Sequence, residues 1–253
     1  MPFFRIFKNK RKNKIPFCSV VIAAAGSSQR MEGENKLFIE ICGMPVLAHT
    51  LLAFQNSSVI SEIIVVVRDS EFRRISEMCA QYGIGKATMI MAGGMTRLES
   101  VMNGVLAVSK KARIIAIHDG ARPCVDGAVI EGAVLAAVNH HAAAPAVPVN
   151  PTLKRAKNGI VLETVDRTDL YEIQTPQVFT AEIIKAALTK AANDSAEITD
   201  DCMAVELIGI PVHVTEGSRS NIKLTTGEDV IIAETILGRR GAGADTKAAG
   251  TSG

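Results

Sequence analysis

Apolar runs of strand type alternate with segments of helical period along much of this chain. The predicted strands are residues 18–24, 63–67, 88–91, 114–117 and 144–149, and the helices between them are 46–55, 71–82, 97–108 and 127–140. The first four strands are almost continuously apolar, which is typical of a sheet buried on both faces. Strands that alternate with helices predict right-handed crossovers, and therefore an α/β fold with a mostly parallel sheet.

The alternation breaks between residues 150 and 174. Two short β-type runs flank Lys157-Asn158-Gly159, and Asn-Gly is a strong signal for a hairpin turn. Because an isolated hairpin is only marginally stable in water, we expect it to pack on something, and a second subunit is one candidate. Regular α/β structure then resumes, with helices near 181–192, 200–208 and 228–237 and a strand at 212–215.

The length of 253 residues and an apolar content of 47% predict one large α/β domain. We divide the chain into a basic N-terminal extension (1–16), a folded domain (17–238) with the hairpin inserted at 150–175, and a Gly/Ala-rich tail (239–253) that we expect to be disordered. The extension has too few apolar positions for a signal peptide.

Composition excludes several classes of partner. The net charge of +2 gives no reason to expect nucleic acid as a partner. No apolar run approaches the roughly 20 residues that span a membrane. The five cysteines are odd in number and form no CxxC pair, so we expect neither disulfides nor a zinc site, and a cytoplasmic location fits best.

Residues 20–36, VVIAAAGSSQRMEGENK, combine a strand with a loop of small residues and two cations, Arg30 and Lys36. Small residues let backbone N–H groups approach a polyphosphate, and the cations can hold its charge. The segment is neither GxGxxG nor a P-loop, since Gly26 stands alone and GxxxxGK[ST] is absent. It indicates a nucleotide site at which chemistry occurs on a phosphate.

Two further segments should meet this loop, because ligands of parallel sheets bind beyond the carboxyl ends of the strands. Residues 93–100 begin with a Gly-Gly turn that opens a helix, and residues 118–123 read HDGARP directly after a strand. Asp119 could meet a metal–phosphate complex or a sugar hydroxyl, and Arg122 could fork onto a phosphate. Alternatively, Asp119 and Arg122 form a buried pair that shapes the turn. We interpret His118 as a hydrogen-bonded structural residue.

Read in order, the motifs of this chain resemble those of the 2-C-methyl-D-erythritol 4-phosphate cytidylyltransferases, nucleotidylyltransferases with a Rossmann-like, GT-A-type fold. The resemblance covers residues 17–237 and rests on AAAGSSQRM with Lys36, GGMTRLESV, HDGARP, TLKR, TVDRTDLYEIQTPQVF, ITDD and NIKLT. It implies a three-layer sandwich with a mostly parallel mixed sheet, and a protruding hairpin that serves as the dimerisation arm of a homodimer.

The resemblance also implies roles for particular residues. It assigns catalysis to Arg30, Lys36, Arg167 and Lys223, with Arg30 and Lys36 at the α-phosphate of CTP. It assigns nucleotide binding to Ala24, Ala25, Gly26, Gly94, Arg97, Ser100 and Gly120. It assigns contacts with methylerythritol phosphate to Asp119, Arg122, Thr152, Arg167, Thr175 and Lys223, of which Thr152, Arg167 and Thr175 act from across the dimer.

The implied reaction transfers CMP from CTP to 2-C-methyl-D-erythritol 4-phosphate and releases pyrophosphate, a step of non-mevalonate isoprenoid precursor synthesis. The nucleophile is a phosphate that is already ionised near pH 7, so no general base is needed. We expect Mg²⁺, held mainly by the CTP phosphates with no dedicated protein ligands. Two positions depart from the family: Ser28 replaces a frequent second loop glycine, and Met95 an acidic residue of some members.

Three alternatives stay open at this point. Ribitol-5-phosphate cytidylyltransferases are similar, but they tend toward Leu-Ala-Gly-Gly in the first loop and lack a segment like TVDR. Sugar-1-phosphate or molybdopterin nucleotidyltransferases are more distant, and the hairpin argues against them. A non-catalytic nucleotide-binding module on the same fold is disfavoured by the intact set of basic residues.

Overall fold

A computed structural model describes residues 15–26 and 35–249, with side chains as far as Gly241. Predictions that fall on residues 1–14, on Ser28 and Arg30, or on residues 250–253 lie outside the described residues. The described strands are β1 (Cys18–Ala23), β2 (Glu40–Ile41), β3 (Met44–Pro45), β4 (Glu62–Val67), β5 (Ala87–Ala92), β6 (Ile114–Asp119), β7 (Ala142–Pro148), β8 (Leu153–Lys157), β9 (Ile160–Val165), β10 (Tyr171–Ile173), β11 (Gln177–Thr180) and β12 (His213–Glu216). The described α-helices are α1 (Val46–Gln55), α2 (Phe72–Gln81), α3 (Arg97–Ala107), α4 (Gly127–His140), α5 (Ala181–Asn193), α6 (Asp201–Glu206) and α7 (Gly227–Ala249).

Eight strands form the central sheet, in the order β10-β7-β11-β6-β1-β4-β5, with β12 also paired to β7. The pairs of β1 with β4 and β6, of β4 with β5, and of β12 with β7 are parallel. Strand β11 runs antiparallel between β6 and β7, and β10 is antiparallel to β7. The sheet is therefore mixed but mostly parallel, as predicted.

Helices cover both faces of the sheet and make a three-layer sandwich. Because side chains alternate along a strand, Val20 and Ile22 of β1 pack with α1, α2 and α4, whereas Val21 packs with α3, α5 and α6. Large side chains such as Phe54 are completely buried. Each such side chain stabilises the fold by about 1.5–3 kcal/mol before entropy is counted. This core fixes the strand ends that carry the site.

Strand β5 departs from the prediction of a sheet buried on both faces. It has a strand neighbour on one side only, and Thr88 and Met89 are exposed. The apolar composition of β5 therefore does not show whether the strand lies at the centre or at the edge of the sheet.

Strands β10 and β11 are not predicted by the sequence pattern, because they are three and four residues long and lie beside the Thr175-Pro176 corner.

The predicted hairpin is confirmed, with β8 and β9 as a separate antiparallel ribbon. Asn158 and Gly159 have φ values of 52° and 78°, and positive φ at both central residues is typical of a type I′ turn. The ribbon is almost entirely exposed, and Ile160, Val161 and Leu162 are among its exposed side chains. We call residues 150–175, which include β8 and β9, the arm.

The last helix is longer than predicted. Val230, Ile236 and Leu237 pack around a small cluster that contains Ile41 and Cys124, and helix α7 continues to Ala249. Adding residues to an existing helix costs little compared with starting one, and this stretch contains no proline. Helix α7 therefore includes residues 239–249 of the segment that the sequence analysis set apart as a tail. None of the helices in the described ranges has the length and apolarity of a membrane span.

Candidate active site

A cleft of about 430 Å³ opens at the carboxyl edge of the sheet. It is lined by Ala23, Ala24, Ala25, Gly26, Asn35, Lys36, Leu37, Gly94, Met95, Thr96, Arg97, Ser100, Asp119, Ala121 and Lys223. The three segments predicted to share one rim therefore do meet, and the segment with Lys223 joins them. A larger groove of about 650 Å³ lies at the amino end of β6 and contains none of the predicted site residues.

The small-residue loop after β1 is held by backbone hydrogen bonds from both neighbouring strands. The Ala24 N–H donates to Val66 O at 2.8 Å, and the Gly120 N–H donates to Ala23 O at 2.9 Å. The Gly93 N–H donates to Val67 O at 2.9 Å and draws the Gly-Gly turn against the loop. A Cβ atom at Gly93 would collide with the Ala25 Cβ and lie 2.7 Å from Ser100 Oγ. Glycine is required there for this close approach.

The hydroxyl of Ser100 is part of the Gly-Gly turn. Its oxygen accepts the Gly94 N–H at 3.0 Å, and the hydroxyl donates to Thr96 O at 2.9 Å. Helix α3 begins with a capping box, in which Thr96 Oγ1 accepts the Glu99 N–H at 3.1 Å and Glu99 accepts the Thr96 N–H. Met95, the departure in this segment, lies at the cleft with a 96% exposed side chain.

Arg97 forms a forked pair with Asp201, a residue of the ITDD motif. The two guanidinium nitrogens lie 3.0 and 2.7 Å from the two carboxylate oxygens of Asp201, which is completely buried. Arg97 lines the cleft at the same time. A forked pair fixes the guanidinium in one plane, so Asp201 sets the direction from which Arg97 faces the cleft.

Lys36 opens a short 3-10 helix, Lys36–Phe38, whose cap is Asn35. Asn35 Oδ1 accepts the Leu37 N–H at 3.1 Å, and Lys36 Nζ donates to Leu224 O at 2.8 Å. Leu224 directly follows Lys223 in sequence. Lys36 and Lys223, which are far apart in sequence, therefore both line the cleft, and the hydrogen bond from Lys36 Nζ to Leu224 O connects their two segments.

Asp119 lies between two cations at the end of β6. Its Oδ2 lies 3.1 Å from Lys223 Nζ and 3.2 Å from Arg122 Nε. Burial acts to raise the pKa of Asp119, but the charges of Lys223, Arg122 and Arg97 outweigh it and lower the pKa to about 2. The carboxylate is therefore ionised at neutral pH and holds both cations.

Arg122 does not line the cleft. It is buried, its Nη1 donates to Asn221 O at 2.7 Å, and its Nε contacts Asp119. The buried pair with Asp119 that shapes the turn, one of the two interpretations of this residue, is present in the structure. The contact of Arg122 with a substrate phosphate stays a prediction. Two of the three guanidinium nitrogens, Nε and Nη1, thus have partners inside the protein.

His118 and Thr175 form a buried pair behind Asp119. Thr175 Oγ1 accepts the Asp119 N–H at 3.2 Å and lies 2.9 Å from His118 Nδ1. His118 Nε2 faces Arg122 O at 3.5 Å. Because a carbonyl oxygen can only accept, a neutral imidazole carries its proton on Nε2, and its Nδ1 accepts from the Thr175 hydroxyl. Burial lowers the pKa of His118 to about 3. His118 is structural, as predicted, and Thr175 is buried beside it. The predicted contact of Thr175 across the dimer stays a prediction.

The remaining predicted residues are dispersed. Thr152 and Arg167 are exposed on the arm and do not line the cleft of their own chain. Gly120 lies behind the lining, where a Cβ atom would be 3.1 Å from the Ala24 Cβ. Arg30 lies outside the described residues.

Sequence reasoning missed residues that support the lining from behind. Asn221 is completely buried, and its Nδ2 donates to Thr175 O at 2.8 Å. Asp201 and Asn221 both lie within motifs that were recognised, ITDD and NIKLT, but no role was assigned to them. Asn35 carried the one signal that could have been read directly, because Asn is a preferred residue at a helix N-cap.

Among the described residues that line the cleft, Asp119 is the one carboxylate. In the described part of the chain, no group of three side chains is arranged to hold a metal ion. This donor set fits a divalent cation that arrives with a polyphosphate and takes most of its ligands from phosphate and water.

A mostly parallel α/β sheet whose carboxyl edge carries a small-residue loop and converging cations defines a protein of the Rossmann-like nucleotidyltransferase class. A family model for 2-C-methyl-D-erythritol 4-phosphate cytidylyltransferase matches residues 18–239. The chain belongs to this family.

Individual relatives agree with the family model. The 2-C-methyl-D-erythritol 4-phosphate cytidylyltransferase of Halalkalibacterium halodurans is 44% identical over 223 residues, which cover 88% of this chain and 97% of that protein. The Bacillus velezensis enzyme of the same name is 42% identical and covers 86% of this chain and 94% of its own. The solved 4-diphosphocytidyl-2C-methyl-D-erythritol synthase of Anaerococcus prevotii has a TM-score of 0.78 at 31% identity, covering 88% of this chain and 96% of that one.

Proposed function

We propose that the cleft binds CTP and 2-C-methyl-D-erythritol 4-phosphate and transfers CMP from the first to the second, with release of pyrophosphate. The observation that carries the assignment is the convergence of Lys36 and Lys223 at the small-residue loop, with Lys36 bonded to Leu224 O and Lys223 to Asp119. Family membership supplies the identity of the two substrates. The product is 4-diphosphocytidyl-2-C-methyl-D-erythritol.

The chemistry requires that one phosphate approach another. The attacking phosphomonoester is already ionised near pH 7, because its second pKa is about 6. Lys36, and Arg30 six positions before it in sequence, stabilise the charge that develops on the α-phosphate, and the backbone N–H groups of Ala25 and Gly26 hold the triphosphate. The protein therefore contributes charge stabilisation and in-line positioning rather than proton transfer.

Mg²⁺ is the expected cofactor. When it is bound with CTP, it neutralises charge on the triphosphate, and Asp119 is the residue of the lining that would hold it. Its remaining ligands would come from phosphate and water.

The arm supports a homodimer in which Thr152 and Arg167 of each subunit serve the neighbouring cleft. Both residues are exposed and do not line their own cleft. Between them in sequence, Ile160, Val161 and Leu162 present exposed apolar side chains. The five cysteines are free thiols, which supports the cytoplasm as the location.

The direct test is to mix the purified protein with CTP, methylerythritol phosphate and Mg²⁺ and to measure pyrophosphate. Ribitol 5-phosphate is assayed in parallel. Turnover of methylerythritol phosphate alone supports the proposal, and preference for ribitol phosphate would reassign the substrate. Absence of pyrophosphate with either acceptor, from protein that still binds CTP, would indicate a non-catalytic module.

A further inference from the structure

Arg68 contacts the nucleotide loop from behind. It directly follows the last residue of β4, and its Nη2 donates to Gly26 O at 2.9 Å while its Nε donates to Ala25 O at 3.5 Å. No role is assigned to Arg68 by the motifs or by the proposed mechanism. Its side chain forks onto two consecutive carbonyl groups of the segment that lines the cleft.

The turn from Arg68 to Glu71 also contacts Asn35, at the other end of the loop. Glu71 accepts a short hydrogen bond from Asn35 Nδ2 and lies 3.5 Å from the Arg68 N–H. Asn35 in turn caps the short helix that Lys36 opens. The four-residue turn from Arg68 to Glu71 thus contacts Gly26 on one side and Asn35 on the other, the two described residues that bound the segment containing Arg30.

The orientation of a trans peptide makes this contact consequential. The C=O and N–H of one peptide unit point in opposite directions. When Arg68 holds the Ala25 C=O on its own side, the Gly26 N–H of the same unit is turned away from Arg68. An N–H group in that orientation is available to a phosphate in the cleft, without reorganisation on binding.

We propose that Arg68 is a positioning residue for the triphosphate of CTP, and that Glu71 does the same for Lys36 through Asn35. The inference rests on the proposed function, because it assigns the cleft to CTP. It predicts that Arg68 acts through the carbonyl groups of Ala25 and Gly26 and not through contact with the reacting atoms.

The test is Arg68→Ala, measured by steady-state kinetics and by calorimetric titration with CTP and Mg²⁺. The loop N–H groups bind the triphosphate in the ground state and the transition state alike, so KM and Kd for CTP should rise about tenfold or more, while KM for methylerythritol phosphate stays within about twofold. A merely structural loss would lower the active fraction and kcat and leave both KM values unchanged.

Two variants keep the test decisive. Arg73→Ala removes an equal charge from a residue that pairs with Glu77 on the next helix, so it should leave KM for CTP unchanged. Arg68→Lys keeps the charge but lacks the rigid planar fork that fixes the two carbonyl groups, so it should retain most of the defect. If Arg68→Lys binds CTP like the wild type, charge alone matters and the inference is wrong.

The outcomes also separate this inference from the proposed function. A wild-type protein that does not turn over CTP and methylerythritol phosphate would overturn the proposed function. A wild-type protein that turns them over, together with an Arg68→Ala variant whose KM and Kd for CTP are unchanged, would overturn only the inference about Arg68. If Arg68→Ala fails to fold, Arg68→Lys carries the same comparison, with a raised KM for CTP expected.

Discussion

Lys223 Nζ lies 3.1 Å from Oδ2 of Asp119, the oxygen that Arg122 Nε approaches at 3.2 Å from the other side. The two cations differ in burial: the side chain of Lys223 is 43% exposed and lines the cleft, whereas that of Arg122 is 10% exposed. One carboxylate therefore connects a cation that faces the substrates with a cation that belongs to the interior. Their substitutions should have opposite consequences.

Lys223→Ala should abolish most of the activity with little effect on the fold. Removing a single charge-stabilising donor from an active site costs about 100-fold or more in kcat, whereas loss of a half-exposed ion pair changes the free energy of unfolding by about 1 kcal/mol or less. Steady-state kinetics and urea unfolding of the same preparation measure both quantities. A variant with near-normal kcat would contradict the catalytic assignment of Lys223.

Arg122→Ala should mainly destabilise the protein. It removes the hydrogen bond to Asn221 O and one of the two cations at Asp119, and breaking a buried pair costs about 3–5 kcal/mol. Urea unfolding checks this value. Arg155→Ala is the matched control, since its pair with Glu163 is exposed on the arm, and it should cost about 1 kcal/mol or less.

Lys36→Ala should lower kcat more than it weakens CTP binding. The contact between Lys36 and the α-phosphate should strengthen as charge develops in the transition state, and such a contact is lost from kcat and kcat/KM together. Steady-state kinetics with CTP as the varied substrate provide the comparison. A raised KM for CTP with unchanged kcat would instead make Lys36 a simple binding residue.

The sequence predicted those parts of the structure whose signals are local. Helices α1 and α4 have the predicted bounds, and the Asn158-Gly159 turn dictates its own hairpin. The sequence pattern did not reveal that β11 inserts antiparallel between β6 and β7, because pairing depends on distant partners.

Within the site, the lining was predicted and its support was not. The strand pattern placed the segments of Lys36 and Asp119 on one rim, and the family resemblance added Lys223. All three residues line the cleft. The contact of Arg97 with Asp201, 104 positions away, appears only when the chain is folded. For the same reason, the burial of Arg122 and Thr175 could not be predicted from the residue types alone.

Exchange of arms between subunits can be tested by mixing two variants that are defective in different ways. Arg167→Ala should chiefly raise KM for methylerythritol phosphate, and Lys36→Ala should remove catalysis. If each arm serves the neighbouring cleft, a mixed dimer contains one site with an intact Lys36 and an intact Arg167. Co-refolded variants, assayed at low methylerythritol phosphate, should then recover activity that neither variant shows alone. If Arg167 acts within its own subunit, every site in the mixture is defective and no activity returns.

His118 should make the stability of the protein depend on pH between neutral and acidic conditions. Burial lowers its pKa to about 3 in the folded state, against about 6.5 in an unfolded chain. The unfolded state therefore binds the proton first, so stability is fully present above pH 6.5 and is lost as the pH falls. Linkage gives a loss of about 2 kcal/mol between pH 8 and pH 5 from this one group. The difference in the free energy of unfolding between wild type and His118→Asn, measured with urea, should shrink by that amount over this range. A constant difference would mean that His118 is already protonated in the folded protein.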